Sequence, residues 1–190
     1  CLVEVRNYSH IASHNTFGRK MVDQEIYVFK NFKNPLIQKM IYEIKYNGNK
    51  STAYVLGVEL GSLIKKSKNV VDFDIIIPVP VSKLKKEHRG YNQCQLIAEG
   101  ISNIIKLPVD SNYLIRNNNM NSQIKSSRYE RWLNVENEYQ LIKELRYDTK
   151  ILLVDDVITT GATINSCLNA IQKNNKLKVT VAALAGNKFT

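Results

Sequence analysis

This sequence is short of cysteine, of acidic side chains and of long apolar runs, and each shortage excludes a class of protein. Three cysteines occur in 190 residues: Cys1, Cys94 and Cys167. They are odd in number and far apart, so neither a disulfide framework nor a complete metal site can be written from them. Cys94 and Cys167 fall on the apolar faces of expected helices and read as buried thiols. No run approaches the roughly 18 apolar residues of a membrane span. The N-terminal stretch carries Glu4, Arg6, His10 and Arg19 where a signal peptide would be apolar. A soluble, cytoplasmic protein without membrane association is expected. The first residue is Cys rather than Met, as expected of a fragment or a processed product.

Acidic residues number 17 against 27 Lys and Arg, a net charge of +10. A basic chain often meets polyanions, nucleic acid among them. The excess of Lys over Arg and the abundance of Asn also fit the composition that an AT-rich genome produces. The length allows one good core with at most a small appendage. Apolar strands alternate with amphipathic helices, which predicts an α/β class.

Residues 1–24 show no periodicity and read as a loose lead-in. His10 and His14 would share a helix face but read as ordinary polar residues. Residues 25–32 have strand composition. Asn34-Pro35 then signals a helix start, and Leu36, Ile37, Met40, Ile41 and Ile44 fall on one helical face. Tyr46-Asn47-Gly48-Asn49 breaks it, and a second helix runs from about Ser51 to Lys66. Residues 73–77 form a short strand entering Pro78-Val79-Pro80, followed by a basic loop over 83–90. A helix from Asn92 to Lys106, an extended segment over 109–115 and an Asn- and Ser-rich loop over 117–126 come next. Ser127-x-x-Glu130 is a capping box for a short helix. A last strand spans 177–184.

The most informative run is Ile151-Leu152-Leu153-Val154-Asp155-Asp156-Val157-Ile158-Thr159-Thr160-Gly161-Ala162-Thr163. The apolar residues over 151–154 read as a buried strand, and residues 164–171 have helical spacing. A strand, an acidic pair, a Thr/Gly loop and a helix together build a sugar-phosphate cradle. Loop N–H groups at a helix N-terminus receive phosphate, and the carboxylates accept hydrogen bonds from two neighbouring hydroxyls. Acidic pairs after a strand also serve as Mg²⁺ ligands in P-loop NTPases, but the Gly-x-x-x-x-Gly-Lys-Ser/Thr which that reading needs is missing. Adjacent residues of a regular strand point opposite ways. Both aspartates can face one ligand if the strand ends before them. In parallel sheets ligands bind beyond the carboxyl ends of the strands. The loops after Ile77 and Val154 would open on the same edge.

The run over 151–163 resembles the 5-phosphoribosyl-1-diphosphate (PRPP) signature of type I phosphoribosyltransferases. The resemblance implies their fold: a mostly parallel sheet with helices on both faces and a small N-terminal hood region. It implies that Asp155 and Asp156 hold the ribose hydroxyls and that Thr159, Thr160, Gly161, Ala162 and Thr163 wrap the 5′-phosphate. It places Val79, Pro80 and Val81 in the pyrophosphate loop. Arg89, and after it Lys85, are the candidate catalytic cations that would stabilise the departing pyrophosphate. Tyr27, Phe29 and Tyr46 are candidates for a hood over the acceptor. Mg²⁺ would come with PRPP, with no direct protein ligation of a metal.

Further motifs point to a narrower group. Pro78-Val79-Pro80, Arg89-Gly90-Tyr91-Asn92-Gln93, Ile44-Lys45-Tyr46-Asn47-Gly48, and Ser122-Gln123 with Ser127-Arg128 through Asn134-Val135 are similar to segments of the ComF family. That family is phosphoribosyltransferase-like and linked to natural competence. The implied division is a lead-in over 1–25, the remnant of a zinc-ribbon segment, and a phosphoribosyltransferase-like domain over 26–190. Cys1 alone cannot hold structural zinc, so no zinc is expected. The hypoxanthine–guanine branch carries an acidic residue where this chain has Thr159, which argues against that activity. Two functions stay open: transfer of ribose 5-phosphate to an unknown acceptor, or a non-catalytic nucleotide-sensing or interaction module of DNA uptake. PRPP or a nucleotide is the expected ligand. A competence helicase, single-stranded DNA and a second copy of the chain are candidate partners.

Overall fold

A computed structural model of the protein describes residues 10–12, 24–29, 32–67, 72–117, 138–172 and 177–186. The core is a five-stranded sheet in the order β1-β2-β7-β6-β3. Its strands are β1 (His10–Ala12), β2 (Gln24–Phe29), β3 (Ile75–Pro78), β6 (Lys150–Ile158) and β7 (Lys178–Gly186). β2, β7, β6 and β3 run parallel, and β1 adds an antiparallel edge. β4 (Leu114–Arg116) and β5 (Tyr139–Leu141) pair separately as an antiparallel ribbon.

The parallel strands are buried on both faces, which explains their continuous apolar runs. Alternation in β6 sends Ile151 and Leu153 into one cluster and Leu152 and Val154 into the other. The first cluster is closed by Ile164, Cys167, Leu168 and Ile171 of α5 (Ala162–Ile171). The second is closed by α1 (Pro35–Tyr46), α2 (Lys50–Lys66) and α4 (Gln93–Ile105). α2 and α4 cross closely because Gly57 and Gly100 carry no side chain there. A Cβ on Gly57 would collide with the Ile97 carbonyl oxygen, and one on Gly100 with that of Tyr54. Cys94 and Cys167 are buried free thiols, as their apolar neighbours predict.

Four helices start on side-chain caps. Asn34 accepts from the Leu36 N–H at 2.9 Å, Asn49 from Thr52 at 3.1 Å and Asn92 from Cys94 at 3.0 Å. Ser82 accepts from Lys85 at 3.3 Å and opens α3 (Lys83–Arg89). The basic run expected as a loop is therefore this short helix. Its stop is Gly90, at φ 76°, a left-handed conformation that ends helices.

Other elements differ from expectation at their limits. The strand expected over 25–32 spans Gln24–Phe29, and the lead-in contains β1, where His10 sits on a strand rather than a helix. The segment 109–115 is mostly irregular: Val109 makes one bridge to Ile76 before β4 begins. Most consequentially, β6 continues through Ile158, so the acidic pair lies inside the strand. Cys1, His14, the capping box Ser127–Glu130 and the segments Ser122-Gln123 and 127–135 lie outside the described residues.

Candidate functional site

The site lies at the carboxyl edge of β3 and β6, where β3 stops at Pro78 and β6 runs four residues further, to Ile158. Pro78 pairs with Val154, and the Val79 N–H donates to the Val154 carbonyl at 2.8 Å. The strands are parallel, so both following loops open on the same edge, as the sequence predicts, but the Thr/Gly loop starts only after Ile158, four residues beyond Val154.

Because Asp155 and Asp156 lie within the strand, they meet different neighbours. Asp155 follows Leu153 toward the α5 face, while Asp156 meets α1 and α4. Both are buried, at 7% and 4% exposure. Asp155 Oδ1 accepts the Asp156 N–H at 2.8 Å and the Cys94 thiol at 3.4 Å. Asp156 Oδ2 accepts the Gln93 amide at 3.0 Å and pairs with Lys45 Nζ at 2.9 Å. Among the described residues Asp155 Oδ2 and Asp156 Oδ1 accept no hydrogen bond from the protein. Each carboxylate commits one oxygen and keeps one.

Burial, then the charge of Asp156, pushes the Asp155 carboxyl up to about 7, against the opposing hydrogen bonds and Lys45. Burial works against the Lys45 ammonium, but the charge and hydrogen bond of Asp156 outweigh it, with help from Asp155. Its pKa ends above the ordinary lysine value. Burial, then the charge of Asp155, raises the thiols of Cys94 and Cys167, so neither is a poised nucleophile.

The Thr/Gly loop is built differently. Gly161 opens α5 at φ 73° and supplies no side-chain cap. Thr159, Thr160 and Ala162 are exposed and Thr163 is half-buried. The only hydrogen bond within the loop is a long one, from the Ala162 N–H to Thr160 Oγ1 at 3.4 Å. Unlike the other four helices described, α5 presents its first-turn N–H groups without a capping side chain. An uncapped N-terminus with its positive dipole end is receptive to an anion.

In the Pro-Val-Pro segment the Val79 N–H is engaged, and its carbonyl accepts from Asn92 Nδ2 at 3.1 Å. Pro80 has no N–H, so of Val79, Pro80 and Val81 only Val81 offers an amide to a ligand. Arg89 lies at the end of α3, where its guanidinium donates to Gln93 Oε1 at 2.9 Å and stacks 5.2 Å from the centre of the Tyr46 ring. Lys85 is exposed on the same helix. Tyr27 and Phe29 are buried in the core at 6% and 0% exposure, so they cannot form a hood; Tyr46 is 54% exposed.

Two residues without a role in the sequence reading prove central, Lys45 and Gln93. Lys45 lies four positions after Ile41 and so borders the buried stripe of α1. Gln93 is a buried amide at the first turn of α4. Both sit inside segments singled out by resemblance, next to residues whose contacts explain the motif. The Tyr91 hydroxyl donates to the Ile44 carbonyl, and Lys50 lies 5.3 Å from the Tyr91 ring centre. The two segments are therefore one interlocked unit around Asp156.

Among the described residues no helix is long and apolar enough to cross a membrane, and no three His, Cys, Asp or Glu side chains cluster as metal ligands. No family model matches the chain. It is 33% identical to Competence protein F of Haemophilus influenzae over 115 residues, covering 59% of this chain and 50% of that protein. It is 28% identical to Competence protein ComFC of Bacillus subtilis over 151 residues, covering 75% of this chain and 56% of that protein. The chain thus spans about half the length of these relatives. A glutamine PRPP amidotransferase from B. subtilis, solved with ADP and GMP, superposes with a TM-score of 0.51 at 17% identity, over 74% of this chain and 30% of that one. The chain is similar to the ComF and ComFC competence proteins and carries the type I phosphoribosyltransferase fold.

Proposed function

We propose that this protein binds PRPP and transfers its ribose 5-phosphate to an acceptor, releasing pyrophosphate, in a process linked to competence and DNA uptake. The observation that carries the reading is that Asp155 and Asp156, strand neighbours with different contacts, each keep one oxygen that no described residue engages, in the strand that leads through the Thr/Gly loop to an uncapped helix N-terminus. A vicinal diol needs two neighbouring acceptors, and its 5′-phosphate needs N–H donors. The names of the two competence relatives support the process.

In this reading Gly161, Ala162 and Thr163 receive the 5′-phosphate through backbone amides, and Thr159 and Thr160 add hydroxyl donors without charge. The C1–O bond to pyrophosphate breaks as the acceptor's nucleophilic atom bonds to C1, and the acceptor's proton leaves to solvent. Arg89 turns from Gln93 to the leaving pyrophosphate, with Lys85 and the Val81 N–H as secondary contacts. Guanidinium matches phosphate in a bidentate fork, so its stabilisation grows as charge develops on the leaving group. Mg²⁺ would come with the diphosphate and would offset its charge, and because Asp155 and Asp156 are reserved for the sugar, no side chain of this site would need to ligate it.

One observation favours a second reading, nucleotide sensing without turnover. The loop over 159–163 has no acidic side chain to handle an acceptor's proton. The separating experiment is pyrophosphate release from PRPP and Mg²⁺ with a panel of nucleobases and amines. Release with one acceptor, lost in Arg89→Ala, supports transfer. Saturable PRPP binding without release for any acceptor supports the sensing module.

A further inference from the structure

Three consecutive residues of α1 fasten to three different parts of the site. The Ile44 carbonyl accepts the Tyr91 hydroxyl, Lys45 pairs with Asp156, and the Tyr46 ring carries the Arg89 guanidinium. The middle contact falls on the acidic pair itself. Lys45 Nζ and Gln93 Nε2 converge on the same oxygen, Oδ2 of Asp156, which fixes the carboxylate plane and leaves Oδ1 for a ligand. Among the described residues the groups facing the pair are Lys45 from α1, Gln93 and Cys94 from α4, Cys167 from α5 and Tyr139 from β5. Of these only Lys45 is cationic, and its side chain is 24% exposed. Two adjacent buried carboxylates repel each other, so a desolvated pair needs such a counter-charge to bind as an anion.

We infer that Lys45 is a positioning residue for sugar recognition: it orients Asp156 toward a ribose hydroxyl and supplies the counter-charge beside the buried acidic pair. This rests on the proposed diol-binding role of Asp155 and Asp156. Among the described residues no hydrogen bond or ion pair joins Lys45 to the 5′-phosphate loop or the pyrophosphate segment. Its removal should therefore damage discrimination at the sugar rather than phosphate binding in general.

The test is calorimetric titration of ribose 5-phosphate and of 2-deoxyribose 5-phosphate into the protein from about pH 5.5 to about pH 9, a range that brackets the raised Asp155 carboxyl. Wild type, Lys45→Met, Lys45→Gln and Lys45→Arg are compared, with melting curves to show that each is folded. The wild type should prefer the ribose compound. Lys45→Met should lose roughly tenfold in ribose 5-phosphate affinity at neutral pH, about the factor of one lost charged hydrogen bond. Its preference over the deoxy sugar should collapse, and the midpoint of its pH profile should rise by about one unit. Lys45→Gln keeps a donor without the charge and should show the same rise in midpoint, so it carries the test if the Met variant does not fold. Lys45→Arg should restore both preference and midpoint.

Unchanged preference and midpoint in both neutral variants would overturn the assignment. So would an equal loss for both sugars with the midpoint fixed, since that marks a purely structural role. A wild type that binds both sugars alike, or neither, would instead overturn the diol site, and the assignment with it.

Discussion

The two halves of the candidate site are built on opposite principles. The acidic half is braced from several directions: Lys45 reaches it from α1, Gln93 and Cys94 from α4, and the strand's own Asp156 N–H from below. The Thr/Gly half has one long internal hydrogen bond and a helix start without a side-chain cap. Charge and burial explain the difference. A carboxylate removed from water must be partnered or it loses its charge. Neutral hydroxyls and backbone amides at a surface are satisfied by water and can stand open until a phosphate arrives. The braced half can therefore select a sugar by geometry, while the open half adapts to a phosphate that any sugar phosphate would bring.

The largest break of this contrast comes from Asp156→Ala. It leaves the mostly buried Lys45 and Gln93 without their acceptor, and should cost about 3 kcal/mol of stability in urea unfolding. Ribose 5-phosphate binding should be lost with it. A stable variant that still binds would show that the braced half does not select the sugar.

Next comes the pH dependence that burial of the acidic half imposes against its bracing. Asp155 is pushed up to about 7 from its ordinary value of 3.8, so between those values the folded state holds a proton that the unfolded state has released. The contribution to stability is full below about pH 4 and is lost as pH rises through about 7. The melting temperature of the wild type should fall from pH 5 to about pH 8, and Asp155→Asn should flatten that fall. An equally steep fall in the Asn variant would assign it elsewhere.

A smaller effect is expected at the open half. Gly161 holds φ 73°, which costs a residue with a Cβ about 1–2 kcal/mol. Gly161→Ala should weaken ribose 5-phosphate and 2-deoxyribose 5-phosphate together by roughly tenfold, a loss comparable to that strain. It should leave their ratio intact. A changed ratio would mean that the two halves are not separable.

The smallest effect is at the link between Arg89 and α1. Tyr46→Ala removes an exposed cation–π contact worth about 0.5–1 kcal/mol. It should lower stability by that amount in chemical denaturation and leave ribose 5-phosphate affinity within about twofold, a change that is within the same energy. A larger loss of affinity would place Tyr46 in the sugar site.

Local signals made much of this architecture legible. Asn34-Pro35, Asn49 and Asn92 mark helix starts because a side-chain oxygen at that position satisfies an orphan N–H. The apolar runs of β3 and β6 read as buried parallel strands because both their faces are covered. The Ser82…Gly90 punctuation of α3 was equally present, but the charge of the run between them suggested a loop, although Lys, Leu and Glu are good helix formers. The extent of β6 was not legible. Asp155 and Asp156 disfavour a strand interior by composition, and only Lys45, Gln93 and Cys94, distant in sequence, make their burial tolerable. The same reason hid Lys45 and Gln93 themselves. A lysine on a helix flank or a glutamine in a first turn is ordinary until the fold brings a carboxylate against it. Resemblance marked the stretches that contain them; only the tertiary structure gives them partners.

The most direct measurement is calorimetric titration of PRPP into the wild-type protein with and without Mg²⁺, repeated on Asp155→Asn/Asp156→Asn. The account predicts saturable binding at one site per chain, strengthened by Mg²⁺ and abolished in the double variant while that variant remains folded. A folded wild type that takes up no PRPP, or a double variant that binds it as well as the wild type, would contradict the account.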